Sequence, residues 1–440
     1  MMKRVLAILA VAVWVVPAAV SVRASTSIRV QRRDTTPMPA FRSGQAIVKF
    51  QTATSQGVTE RAIHEAGGLR ARRSAYGGHY LVHLDPNVTV DAAVAYFRSL
   101  PEVEYAEPNG MVRKALRPND RFFRFQWHME QVGAERTWDI QRGRTDVAVA
   151  IVDTGIAYED FGPFRRAPDW GGRAFLQGFD FVNGDAHAND DDSHGTHVAS
   201  TIGEATDNQE GVAGLAFDCA LMPVKVLDDQ GFGTFFDVAE GIDYAINFTQ
   251  NGARPVKVIN LSLGGSSQNE AVRRALDRAE AAGVVVVAAA GNAGERSIDF
   301  PAAYASVIAV GALDQRKQRA PYSNFGPELD VVAPGGNLDR DDNGDGDVDG
   351  VLQQTFDPDR ADAGIFDDFA YWYFEGTSQA TPHVAALAAL LMTQGITSPA
   401  AVRAAIEQTA EDLGSRGRDD EFGHGLIRPD QALKGLGLNQ

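Results

Sequence analysis

Over most of its length this chain alternates two kinds of apolar pattern. Short unbroken apolar runs occur at Val147–Val152, Leu221–Leu227, Val256–Leu263, Val284–Ala290, Val307–Val310 and Leu329–Ala333. Segments with helical spacing fall near 195–204, 236–249, 269–282, 379–394 and 399–409. Strands apolar on both faces and separated by helices predict a parallel β-sheet covered on both sides, an α/β fold. Residues 43–112 read differently, as a small α+β unit. Strands are expected at Gln45–Phe50, Gly78–Leu84 and Val103–Ala106, with helices at Thr59–Ala66, stopped by Gly67-Gly68, and at Val90–Leu100.

Charge follows the same division. Residues 1–117 hold 16 Lys and Arg against 8 Asp and Glu, a net +8, whereas the remainder carries −25. A basic leading unit before an acidic body implies complementary surfaces, and the acidic body argues against a nucleic-acid partner. The first residues are basic, Val5–Val16 is almost purely apolar, and Val22-Arg23-Ala24 follows. This reads as a signal peptide over 1–24, hence a secreted, extracellular or periplasmic protein. Twelve apolar residues are too few for a stable membrane anchor. The lone Cys219 excludes an internal disulfide and reads as a buried thiol.

Polar residues interrupt the apolar pattern where chemistry gathers in such a sheet, at the carboxyl ends of strands. Asp153 closes Val147–Val152, and Asn292 follows Ala289-Ala290-Gly291. His194 opens a helical segment in Ser193-His194-Gly195-Thr196-His197, and Ser378 stands before a long apolar helix in Gly376-Thr377-Ser378-Gln379-Ala380-Thr381-Pro382-His383. Each has an ordinary reading: Ser378 as a helix cap, His194 and His197 as a metal pair. Together they also form a nucleophile (Ser378), a base (His194), an orienting carboxylate (Asp153) and an oxyanion donor (Asn292). A zinc hydrolase would need further ligands, and no His-Glu-x-x-His run occurs.

These segments resemble the subtilisin-like serine proteases, the subtilases, in three motifs around Asp153, His194 and Ser378 and in the family's order. The resemblance covers about residue 118 to the end. It implies a serine endopeptidase that cleaves polypeptide substrates through a seryl acyl-enzyme. Residues 25–117 resemble the family's ferredoxin-like inhibitory propeptide, a folding assistant and intramolecular inhibitor, leaving 118–440 as the peptidase. The basic stretch with Arg113-Lys114 and Arg117 would be the maturation linker. Gln379 replaces a usual Met, a departure with no catalytic role expected. A catalytically silent scaffold of the same fold is the rival reading, and retention of all four groups speaks against it.

The resemblance further implies a substrate edge at Ser262-Leu263-Gly264, an opposite wall at Gly231 and Gly233, and Asp299 at the floor of the S1 pocket. Asp299, with Asp190–Asp192 beside the S2 pocket, would favour Lys or Arg in the substrate. Two calcium sites are expected. One is a partial EF-hand-type loop with Asp341, Asn343, Asp345, Asp347 and Asp349, Val348 at the apolar position and Leu352 where Glu is usual. The other, from family resemblance, groups Asp120, Asp169 and Asn208. A monomer is expected.

Overall fold

The computed structural model describes residues 41–110 and 116–435. The expected signal peptide and the Arg113-Lys114 pair lie outside the described residues. Two compact units divide near residues 114–115.

The smaller unit is a four-stranded antiparallel sheet with two helices. Strands β1 (Phe41–Phe50), β2 (Gly68–Arg73), β3 (Tyr80–Leu84) and β4 (Val103–Gly110) are ordered β2-β3-β1-β4, with α1 (Gln56–Glu65) and α2 (Val90–Ser99). Ala46, Val48, Val82, Val94 and Phe97 form its core. Strand β2 was not foreseen. Its sequence, GLRARR, has no buried apolar side and is an edge strand, where exposed arginines discourage further pairing.

The larger unit is built on seven parallel strands. These are β5 (Ala148–Asp153), β6 (Phe179–Asp180), β7 (Ala220–Lys225), β8 (Val256–Leu261), β9 (Val285–Ala289), β10 (Val307–Leu313) and β11 (Val331–Pro334). Their order is β11-β10-β9-β8-β5-β7-β6. From β5 the chain visits the edge strand β6 and returns to β7 on one side, then crosses to β8 and runs outward to β11 on the other, so β5 and β8 flank a topological switch point. Nearly every residue of these strands is buried, which accounts for their uninterrupted apolar runs. Helices α3 (His194–Gly203) and α6 (Thr377–Thr393) pack on each other, as do α4 (Phe235–Asn247) and α5 (Glu270–Ala281); α7 (Pro399–Thr409) packs on α6. Among the described residues no helix is long and apolar enough to cross a membrane.

A hairpin, β12 (Val351–Phe356) with β13 (Phe369–Phe374), was also not anticipated. It packs on α3, and the His197 Nε2–H points at the Val351 and Trp372 carbonyls (3.0 and 3.1 Å) while its ring stacks on Phe374. His197 is therefore a buried pin between helix and hairpin. That structural role accounts for His197 Nε2, while His194 Nδ1 is engaged by Asp153. Cys219 is buried, and burial pushes its thiol up to about 11, as expected of an inert thiol.

Candidate active site

Three loops at the carboxyl ends of β5, β8 and β9 converge with the first turns of α3 and α6. Asp153, the last residue of β5, is fully buried. Its Oδ1 lies 2.7 Å from His194 Nδ1 and also accepts the Thr154 N–H at 2.8 Å. His194 is the first residue of α3, and its own backbone N–H is capped by Asp192 Oδ1 at 3.0 Å. Gly195 must be glycine, because a Cβ there would collide with the Gly155 carbonyl. Burial opposes charging His194, but the Asp153 carboxylate, with Asp192 and Asp190 behind it, outweighs this and raises the imidazole to about 9.

Ser378 is the second residue of α6 and is partly exposed, whereas the rest of that helix is buried. Its Oγ donates to the Ser262 carbonyl at 3.1 Å, and Ser262 Oγ donates back to the Ser378 carbonyl at 2.8 Å. Ser262 follows β8 and lines the same cleft as His194, so the β8 edge carries the serine to the cleft. Asn292 is oriented from behind: its Oδ1 accepts the Thr377 N–H and hydroxyl, each at 2.8 Å, leaving Nδ2 for the opposite side. Gly376 has φ +150, and a Cβ on it would lie 3.6 Å from both Asn292 Nδ2 and Ser378 N. Asn292 Nδ2 and the Ser378 backbone nitrogen therefore border the same small space. Gln379 borders the same space, its Oε1 falling 2.7 Å from that Cβ position.

The cleft beside these groups encloses about 440 Å³. Gly231, Gly233, Ser262, Leu263 and Gly264 all line it. Asp299 lies behind the glycines: a Cβ on Gly264 would sit 3.2 Å from its Cβ, and one on Gly291 would clash with its carboxylate. Burial and the neighbouring Glu295 both push the Asp299 carboxyl above its usual range.

The three adjacent acids do not act alike. Asp190 is buried and consumed internally, accepting from Thr154 Oγ1, Ser193 N and both Thr196 donors. Asp191 is paired at 2.5 Å with Lys225, a lysine buried at the end of β7 that also donates to the Thr154 and Leu227 carbonyls. Only Asp192 of the three lines the cleft. Lys225 lies within the apolar run Leu221–Leu227, where nothing in the local sequence marks a lysine as paired.

Of the expected metal ligands, Asp120, Asp169 and Asn208 do come together. Asn208 Nδ2 donates to Asp169 Oδ1 at 2.7 Å, and the Asn208 and Asp207 N–H groups donate to Asp120. Burial raises Asp120 and Asp169 each to about 7, and their mutual repulsion adds to the shift on Asp169. Glu204, missed in the sequence, is buried nearby with Oε2 lacking a partner, and burial followed by the Asp169 charge raises it strongly. These carboxylates are close enough for the Asp120 charge to raise Asp169 and the Asp169 charge to raise Glu204, but among the described residues they are not arranged as a three-ligand metal group.

The acidic loop fits less well. Asp341 Oδ1 and Oδ2 accept the Gly344, Asp345 and Gly346 N–H groups, Asn343 Oδ1 accepts Asp345 N, and Asp345 Oδ1 accepts Asp347 N. Asp349 is buried against the Asp342 N–H. Val348 is 40% exposed rather than packed, and Leu352 lies within β12. Among the described residues no group of three or more His, Cys, Asp or Glu is arranged to hold a metal ion.

Comparison with known proteins agrees with the geometry. The subtilase family model (Peptidase_S8) matches residues 144–425, and a fervidolysin N-terminal prodomain model matches 29–109. The chain is 36% identical over 389 residues to a thermophilic serine proteinase of Bacillus sp. (strain AK1), covering 87% of this chain and 86% of that protein. Thermitase of Thermoactinomyces vulgaris is 37% identical over 301 residues, 68% of this chain and 94% of the relative. A solved protease of Pseudoalteromonas arctica PAMC 21717 superposes with a TM-score of 0.62 at 31% identity, covering 72% of this chain and 98% of that one. With Asp153, His194 and Ser378 carried on this sheet, the chain belongs to the subtilase family of serine proteases and bears an N-terminal prodomain.

Proposed function

We propose that this subtilase is a secreted endopeptidase in which Ser378 is the nucleophile, His194 its general base and Asp153 the group that holds the imidazole. The observation carrying this reading is the 2.7 Å contact between buried Asp153 and His194, with Ser378 at the start of α6 tied to Ser262, which lines the same cleft as His194. His194 takes the Ser378 proton as the hydroxyl attacks the scissile carbonyl, then returns it to the leaving amine; Asp153 stabilises the imidazolium between the two steps. Asn292 Nδ2 and the Ser378 N–H stabilise the oxyanion. Losing an Asn in this role costs about 10²–10³ in rate, a magnitude known for a subtilisin. Residues 25–117 act as propeptide, with the cut in the basic linker before the peptidase of 118–440. A fluorophosphonate probe should label Ser378 in the wild type and not in Ser378→Ala, and that variant should accumulate as the uncut chain. Labelling that persists in Ser378→Ala would overturn the assignment.

The S1 pocket is proposed to prefer Lys or Arg. Asp299 behind Gly264 and Gly291 supports this, with Asp192 as the second acid in the cleft. Asp190 and Asp191 contribute little, being satisfied or neutralised. Peptides with Arg, Phe or Leu before the scissile bond test this; a preference for Phe or Leu would sink it. Calcium is the proposed structural cofactor, held first by Asp120, Asp169 and Asn208, with the loop of Asp341, Asn343, Asp345, Asp347 and Asp349 as a weaker site. Bound there, it would neutralise carboxylates that otherwise repel one another.

A further inference from the structure

We propose that the turn Tyr322-Ser323-Asn324 is the positioning element of the oxyanion site, Asn324 holding the loop that carries Asn292 and Tyr322 holding the peptide that leads into Ser378. The proposal rests on the peptidase reading. The two oxyanion donors come from segments far apart in sequence, the loop after β9 and the head of α6. Their spacing depends on whatever grips both backbones, and such a donor pair works only where its geometry is set in advance.

Asn324 is buried, and both ends of its side chain are engaged by the Asn292 loop. Its Oδ1 accepts the Ala293 and Glu295 N–H groups at 3.0 and 3.1 Å, and its Nδ2 donates to the Ala290 carbonyl at 3.3 Å. Backbone bonds add to the grip. The Asn324 N–H donates to the Gly291 carbonyl at 2.9 Å, and the Gly294 N–H donates to the Tyr322 carbonyl at 2.6 Å. The turn thus binds the residues on either side of Asn292, whose own Oδ1 is engaged by Thr377. On the other side, the Tyr322 hydroxyl donates to the Gly336 carbonyl at 2.8 Å and accepts the Gly376 N–H at 3.0 Å, a donor it shares with the Gly335 carbonyl. A Cβ on Gly335 would strike the Gly376 carbonyl and the Tyr322 hydroxyl, so this close approach needs glycine. The turn itself is fixed to the sheet, since Ser323 Oγ accepts the Ala312 N–H of β10 at 2.9 Å. Burial and the nearby Glu375 push the Tyr322 hydroxyl well above its ordinary range, so it stays a donor at alkaline pH.

The test is a double-mutant comparison of kcat and KM, with active sites counted by fluorophosphonate titration so that misfolded protein does not enter. Asn324→Ala should lower kcat about tenfold or more with KM within about twofold, and should change kcat by less than about twofold in Asn292→Ala. Tyr322→Phe loses only the hydroxyl and should lower kcat about threefold in both backgrounds, because it acts on the peptide before Ser378. Asn324→Ser keeps a shorter acceptor and should fall between wild type and Asn324→Ala; it carries the same comparison if Asn324→Ala does not fold. An equal loss of kcat from the Asn324 variants with and without the Asn292 side chain, or wild-type kcat in both, would overturn the positioning role. An unchanged kcat in Tyr322→Phe would overturn its half of the proposal. Failure of the wild type to label would instead refute the peptidase reading.

Discussion

The acids around His194 set the pH at which it can act. A general base must be neutral, and Asp153, Asp192 and Asp190 outweigh burial to hold its pKa at about 9. kcat/KM should therefore climb with pH to a plateau above about 9 and fall tenfold per unit well below it. Asp192→Asn keeps an oxygen to cap the His194 N–H but removes a negative charge. It should move the acid limb of the profile to lower pH, measurable in a pH–kcat/KM series; an unmoved limb would show that Asp192 does not act on the imidazole. The linked stability has the same sign. The His194 contribution is full below the unfolded pKa of about 6.5 and is lost as pH rises through about 9. At this scale the sequence was most legible for residues whose role follows from local context, such as Asp153 ending an apolar strand. Glu204 and Lys225 were not legible, because burial and partners distant in sequence define them.

Elements hold the site through a few buried polar ties. Lys225 at the end of β7 is in register with Asp153 on β5, and its ammonium joins the loops after both strands to Asp191. Lys225→Met would leave Asp191 without its cation and should cost about 3–5 kcal/mol of unfolding free energy. Adding Asp191→Asn should recover much of that loss in a denaturant titration; no recovery would mean that the Thr154 and Leu227 contacts dominate. Strand β2 is an arginine-rich edge strand that pairs with the next strand, β3, and β12–β13 is a two-stranded hairpin that follows an acidic loop. In β2 no residue is buried, so it carries no apolar period to read.

For the whole molecule, a chain with a single cysteine has no internal disulfide, and buried carboxylates raised to about 7 would be stabilised by a cation. Removing calcium with EDTA should lower Tm by about 5 °C or more at pH 8. The loss should shrink at pH 5, where protons compete for Asp120 and Asp169. An unchanged Tm at pH 8 would remove calcium from the account. The basic prodomain and acidic peptidase belong to this scale too, since their opposite charges were readable from composition. By itself the sequence determined the parallel sheet, the two-unit organisation and the candidates Asp153, His194, Asn292 and Ser378, because apolar runs and strand-end polar residues are local signals. Only the tertiary structure decided what the acids do. It satisfied Asp190 with backbone and threonine hydroxyl donors, paired Asp191 with Lys225, left Asp192 lining the cleft and set Asp299 behind two glycines. A carboxylate's charge, exposure and partner depend on residues far away in the chain, and packing alone brings those together.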